Sequence, residues 1–322
     1  MGPGYERELA VAIAAVRQAA ELCRAVRSSI DPGSVSKKDK SPVTVADFGS
    51  QALICRALAL AFPGDRVVAE EDSAALNEAE NSAVAAQVLH QVRRLCPEAG
   101  EQEVRAWIDR GGSHEGGGRF WTIDPIDGTK GFLRNEQYAI ALALVVEGRP
   151  VVAALGCPNL DGGTLFSAVH GRGATLRPMM DLATEPVPIC VSTTSDAAAG
   201  RFCESVESGH SSHGEAAAVA QTLGITAPPI RMDSQCKYGV VARGEADIYL
   251  RLPTRAGYIE RIWDHAAGAL IVLEAGGRVT DIAGKPLEFH HGRGLEANRG
   301  VIASNGRLQD RVLAALAQVG VV

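Results

Sequence analysis

The chain has 322 residues, 46% of them hydrophobic and 22% charged, with a formal net charge of −6. That balance belongs to a globular protein with a substantial core, and it lacks the basic field that nucleic-acid backbones or anionic membranes attract. Seven scattered cysteines without a CxxC pair argue against a disulfide framework or a zinc ribbon and fit a reducing compartment.

Apolar residues at helical spacing from Leu9 to Val26 predict an amphipathic first helix over 5–29, ended by Asp31-Pro32-Gly33. No signal or transit character precedes it. Asp47 is expected to open a second helix that Pro63-Gly64-Asp65 stops. Val67-Val68-Ala69 reads as a short buried strand running into Glu70-Glu71-Asp72, and residues 74–106 as a peripheral pair of helices. The Gly111–Gly118 loop leads to a strand, Arg119–Ile123. Tyr138–Glu147 and Pro150–Cys157 form a strand pair, and Thr164–Val169 another strand. The longest apolar run, Tyr138 to Cys157, is broken by Glu147, Arg149 and Pro150, so no membrane span is expected. A cytoplasmic monomer without nucleic-acid or membrane partners is the expectation.

Beyond about residue 178 the pattern alternates: strands at Val187–Val191, Ile230–Met232, Ala246–Leu252 and Arg278–Thr280, and helices at Glu215–Leu223, Tyr238–Arg243 and Asp264–Glu274. Antiparallel strands first and alternating elements later point to an α+β half, residues 1–178, joined to an α/β half, residues 179–322, around one shared core.

The most informative stretch is Asp124-Pro-Ile-Asp-Gly-Thr-Lys130. A strand delivers Asp124 to its end, Pro125 blocks regular continuation, and Gly128 permits a sharp turn. Asp124, Asp127 and the Ile126 carbonyl can then converge as an all-oxygen set, which suits Mg²⁺. The plain alternative is an Asp-Gly turn with both carboxylates in solvent. Alone, Asp47 and Asp264 read as helix N-caps and Glu70-Glu71 as a solvated acidic loop. Capping does not explain why four such acids follow apolar segments, where they can share one cleft.

Together these segments resemble the lithium-sensitive, magnesium-dependent phosphatase superfamily of inositol monophosphatases and fructose-1,6-bisphosphatases. The resemblance rests on Asp124–Thr129, on Ala69-Glu-Glu-Asp-Ser73 and on Trp263-Asp-His-Ala-Ala-Gly268. Ser41–Asp47, Gly209–His213, Asp233–Tyr238 and Ala246–Pro253 bring it closer to the 3′(2′),5′-bisphosphate nucleotidase branch, and it spans nearly the whole chain. Ala69 and Asp72 depart from the Gly and Ser or Glu-Ser usual there.

The resemblance implies a layered αβαβα sandwich of the sugar-phosphatase type. It also implies two or three Mg²⁺ ions held by Glu70, Asp124, the Ile126 carbonyl, Asp127 and Asp264. Asp47 and Thr129 would orient and deprotonate the attacking water, with Thr129, hydrogen-bonded to Asp47, taking up its proton. His210, Ser234, Lys237 and Arg251 would hold the nucleotide, with Thr129 and Asp264 near the scissile phosphate. The implied reaction, placed in sulfur metabolism, is hydrolysis of adenosine 3′,5′-bisphosphate (PAP) to AMP. Its sulfated form, PAPS, is a second substrate, and an inositol polyphosphate 1-phosphatase is the alternative. Thr254–Glu260 is expected to contribute to the adenine pocket and Trp121 and Trp263 to pack beside the site. His290 and His291 have no assigned role.

Overall fold

The computed structural model describes residues 4–29, 41–77, 81–206, 212–255 and 257–321. His210 lies outside them. Helices α1 (Glu6–Ser28) and α2 (Ser41–Ala61) precede strand β1 (Arg66–Ala69). Helices α3 (Ser82–Arg93) and α4 (Glu101–Asp109) flank them as the expected peripheral pair. Next come β2 (Arg119–Asp127), α5 (Thr129–Arg134), β3 (Ala139–Val146), β4 (Arg149–Cys157), β5 (Thr164–Val169), β6 (Ala174–Pro178) and β7 (Val187–Ile189). These strands form one seven-stranded sheet in sequence order, with β1 and β2 parallel and the rest antiparallel.

Strands β8 (Phe202–Glu204), β9 (Ile230–Arg231), β10 (Ile248–Arg251), β11 (Arg278–Thr280) and β12 (Val301–Ser304) make a second sheet, ordered β11-β12-β10-β8-β9. Helices α6 (His213–Leu223), α7 (Cys236–Ala242), α8 (Ala266–Glu274) and α9 (Gln309–Val319) complete the chain. Helices α1 and α2 cover one face of the first sheet, α7 and α8 lie between the sheets, and α6 and α9 cover the second sheet's far face. The result is an αβαβα sandwich. The first sheet runs on to Ile189, past residue 178 where the sequence pattern changes.

Strand β3 shows how the layers are set. Ile140, Leu142 and Leu144 face the α1–α2 layer, whereas Ala139, Ala141, Ala143 and Val145 face the middle. A strand's alternation sends its large residues one way and its small ones the other, so α8 approaches closely. Each buried Leu or Ile contributes roughly 1.5–3 kcal/mol of transfer free energy.

Two expectations fail in α2. The helix begins at Ser41, with Pro42 in the first turn where a missing N–H costs nothing, so Asp47 is a mid-helix residue and not its cap. Val43–Ala61 is also long and apolar enough to match a membrane span, contrary to the sequence reading, but 72% of the matching window is buried inside the protein. It is a core helix. Strands β6, β8 and β12 and helices α5 and α9 have no counterpart in the sequence reading. The strand β8 is only three residues long, and α5 follows directly from the Asp-Gly turn.

Candidate active site

Three structural devices gather the acidic residues. The first is a register shift in β2 between Asp124 and Asp127 that lifts the segment around Ile126 off the regular ladder with β3. Gly128 follows at φ +86°, a left-handed conformation that glycine adopts without strain, and turns the chain into α5 with Thr129 as its first residue. The second is Gln51, fully buried one turn beyond Asp47 on α2. Its amide accepts from the Glu71 N–H at 3.0 Å and donates to the Glu71 carbonyl at 2.7 Å, fixing the Glu70–Glu71 turn. The third is Gln235, whose N–H donates to Asp127 Oδ2 at 2.5 Å. Its side chain ties the Trp263 carbonyl to the Gly268 N–H, which anchors the segment carrying Asp264. Ala69 ends β1 as an ordinary strand residue, so the loss of Gly there leaves the path into Glu70 regular.

These devices hold Asp47, Glu70, Asp124, Asp127 and Asp264 within mutual electrostatic reach. Asp47 and Asp124 are 5% and 2% exposed, and burial followed by repulsion from neighbouring acids raises both well above the ordinary carboxylate range. For Asp124 those neighbours are Glu70, Asp127, Asp264 and Asp47. Asp127 is pushed up to about 6 by burial and then by Asp264, against the pull of Lys237, Arg251 and the Gln235 N–H. Glu70 opens to solvent at one side, yet partial desolvation and then the charges of Asp264, Glu71 and Asp127 push it to about 8.

The acidic group fits a hard cation on three observations. Its donors are all oxygens, which select Mg²⁺-like ions over thiophilic ones. Asp47 Oδ1 and Asp124 Oδ1 are buried with no hydrogen-bond partner, the state a carboxylate adopts when a cation is its missing neighbour. Lys237 and Arg251 are too few to balance the acids. The carboxylates Asp47, Glu70, Asp124 and Asp127 do not converge on a single point. Among the described residues the triads whose ligating atoms lie within 4.8 Å of one another are Glu260–Asp264–His265 and, on the surface, Glu288–His290–His291.

The expected Asp47–Thr129 hydrogen bond is not made: Asp47 sits inside α2 with Oδ1 unpartnered, while Thr129 is exposed at the start of α5. Beside the acids opens a cleft of about 430 Å³ lined by Asp127, Arg251, Thr254, Tyr258, Glu260 and Asp264, among others. Arg251 lines it as expected, but it already contacts Glu260 at 2.8 Å and Asp264 at 3.3 Å. Ser234, at φ +70°, uses its hydroxyl oxygen to accept from the Cys236 N–H at 3.2 Å, at the start of α7.

Lys237 departs most from expectation. It is 2% exposed, its Nζ donates to the Met232 carbonyl at 3.2 Å and lies 5.2 Å from the centre of the Tyr249 ring. Burial lowers its pKa, and Asp127 is the largest influence in the opposite direction. Its ammonium is enclosed by the protein and not displayed on the surface. The sequence reading missed Gln51, Gln235 and His265, and named Glu260 only as the end of the Thr254–Glu260 pocket segment. Of the three missed, only Gln51 carries a legible signal, four residues after Asp47 on the same helix face.

The sequence profile of the inositol monophosphatase family matches residues 5–320. The chain belongs to the inositol monophosphatase family. It is 46% identical to a 3′(2′),5′-bisphosphate nucleotidase of Emericella nidulans, over 98% of this chain and 99% of that one. It is 44% identical to the protein of the same name from Schizosaccharomyces pombe, over 98% and 96%. Among solved structures of the family, an inositol monophosphatase from Zymomonas mobilis aligns with a TM-score of 0.66 at 20% identity, covering 98% of this chain and 99% of that one. The inositol monophosphatase of Anabaena gives 0.64 at 23%, covering 97% and 95%. The likeness to these two structures establishes the fold.

Proposed function

We propose that this chain is a Mg²⁺-dependent 3′(2′),5′-bisphosphate nucleotidase, a phosphoric monoester hydrolase that removes the 3′-phosphate of adenosine 3′,5′-bisphosphate to give AMP, and that it also acts on the sulfated form. The observation that carries this reading is the juxtaposition of an uncompensated acidic group with an arginine-bearing cleft. The names of the relatives at 44–46% identity support the substrate class.

Glu70, Asp124, the Ile126 carbonyl, Asp127 and Asp264 would hold two or three Mg²⁺ ions. Bound there, Mg²⁺ would acidify a water, neutralise the phosphoryl oxygens and stabilise the leaving alkoxide. Asp47 accepts the proton of the attacking water and Thr129, at the N-terminus of α5, orients that water with its hydroxyl. Arg251 and the Ser234 hydroxyl bind the second phosphate, while buried Lys237 adds a fixed positive charge beneath it. His210 contacts the nucleoside, and Thr254–Glu260 shapes its pocket. Residues 1–178 thus supply most of the cation wall and residues 179–322 the nucleotide wall, with Asp264 joining the two. We further propose a cytoplasmic monomer that lithium inhibits, because Li⁺ competes for one of the Mg²⁺ positions.

The test offers Mg²⁺-loaded protein equal concentrations of adenosine 3′,5′-bisphosphate, inositol 1-phosphate, inositol 1,4-bisphosphate and fructose 1,6-bisphosphate. The nucleotide should be hydrolysed fastest. Preference for any of the other three would reject the substrate assignment, and no phosphate release from any would reject the enzyme.

A further inference from the structure

The guanidinium of Arg251 is held from behind by a chain of buried groups. Tyr238 and His265 are fully buried and Glu260 is 3% exposed. Tyr238 Oη lies 2.7 Å from His265 Nδ1, and His265 Nε2 lies 3.2 Å from Glu260 Oε2. Glu260 Oε2 in turn lies 2.8 Å from Arg251 Nε. A carboxylate only accepts, so His265 Nε2–H donates to Glu260. Tyr238 Oη and His265 Nδ1 share the next hydrogen bond. The fold makes room for this arrangement at Gly268, where an added Cβ would lie 2.3 Å from the Tyr238 ring. Burial alone would raise the Glu260 pKa, but the Arg251 charge and the His265 hydrogen bond outweigh it and hold the carboxyl below its ordinary range.

Arg251 faces a second anion on its other side, where Nη2 lies 3.3 Å from Asp264 Oδ2 and 3.5 Å from Tyr258 Oη. A guanidinium carries five N–H donors in a rigid fork. Glu260 lies against Nε as an ion pair, without a hydrogen bond from the Nε–H, and Asp264 and Tyr258 lie at Nη2. The Tyr249 hydroxyl also bonds the side chain, while the guanidinium borders the cleft. Were Glu260 uncharged, Arg251 would be drawn onto Asp264 as a two-pronged ion pair. That shift would withdraw the guanidinium from the anion in the cleft.

We infer that Glu260, backed by His265 and Tyr238, is a positioning residue that aims Arg251 at the second phosphate of a nucleotide bisphosphate and keeps it off Asp264. The inference rests on the bisphosphate reading above. It concerns aim and charge balance, since Glu260 itself does not touch the reacting atoms.

A double-mutant cycle between Glu260→Gln and Arg251→Ala tests it, with KM and kcat measured on the Mg²⁺-loaded enzyme and adenosine 3′,5′-bisphosphate. Glu260→Gln should raise KM about tenfold while kcat stays within about threefold, the pattern of lost substrate binding. On the Arg251→Ala background it should add less than about twofold. Glu260→Asp, which keeps the charge, should recover most of the KM. If Glu260→Gln fails to fold, Tyr238→Phe, which deletes one hydroxyl at the far end of the chain, should raise KM about two- to threefold on the native background and not on Arg251→Ala. An unchanged KM, or an equal loss on both backgrounds, overturns the inference. The native enzyme separates the two levels: no preference for the bisphosphate over adenosine 3′-monophosphate overturns the functional reading and this inference with it. Preference without coupling between Glu260 and Arg251 overturns this inference alone.

Discussion

Behind one wall of the cleft, which Asp127 lines, Asp47, Glu70 and Asp124 add acidic charge that outnumbers the cations near it. On the other, Arg251 lies between Glu260 and Asp264. The first wall is held against its own repulsion by the β2 register shift and by the Gln51 and Gln235 clamps. The second sets one guanidinium against two carboxylates, Glu260 and Asp264. The contrast teaches what each wall awaits: the first lacks positive charge and is completed by cations, whereas the second holds an arginine in place by protein anions at the border of the cleft.

The largest effect should come from Asp124→Asn, which removes an oxygen anion from the cation wall without changing its shape. Turnover should fall on the order of 10³-fold. The metal-free protein should nevertheless melt a few degrees higher, because a buried repelling charge is gone. A fall in both quantities would break the view of this wall as uncompensated. Arg251→Ala tests the opposite wall and should raise KM for the bisphosphate about ten- to a hundredfold, as expected for loss of a charge-assisted contact.

Acidity separates the walls next. Carboxylates with raised pKa values in the folded chain keep protons that the unfolded chain has already released. Stability of the metal-free protein therefore falls as pH rises from the ordinary carboxylate range, near 4, through the raised values, about 6 for Asp127 and about 8 for Glu70. The buried Asp47 and Asp124 should carry most of that fall, since water screens Glu70. Denaturant melts at pH 5 and pH 8 check it, and saturating Mg²⁺ should remove most of the slope. Ser212→Ala removes the hydroxyl that accepts from the Glu215 N–H at 3.4 Å at the start of α6. It should cost about 1 kcal/mol of stability or less, read by denaturant melts.

The two walls were also unequally legible in the sequence. Asp124, Asp127 and Gly128 declare themselves because a strand, a proline and an Asp-Gly turn in succession leave few places for two carboxylates to go. The reading of Asp47 as a helix cap fails, since a proline in a first turn hides where α2 begins. The second wall depends on contacts between distant segments. Glu260 and His265 meet Arg251 and Tyr238 only once β10 and α7 pack, and no periodicity encodes that. The burial of Lys237 was invisible for the same reason: its neighbours Met232 and Tyr249 become neighbours only through the fold.

Product identity is the most direct test of the central claim, that the acidic wall cleaves one phosphate while the Arg251 wall grips the other. Adenosine 3′,5′-bisphosphate should be followed by ³¹P NMR with the EDTA-stripped protein before and after Mg²⁺ is restored. The account predicts no turnover without the ion and, with it, inorganic phosphate together with adenosine 5′-monophosphate. Release of adenosine 3′-monophosphate, or turnover that persists after the metal is stripped, would contradict it.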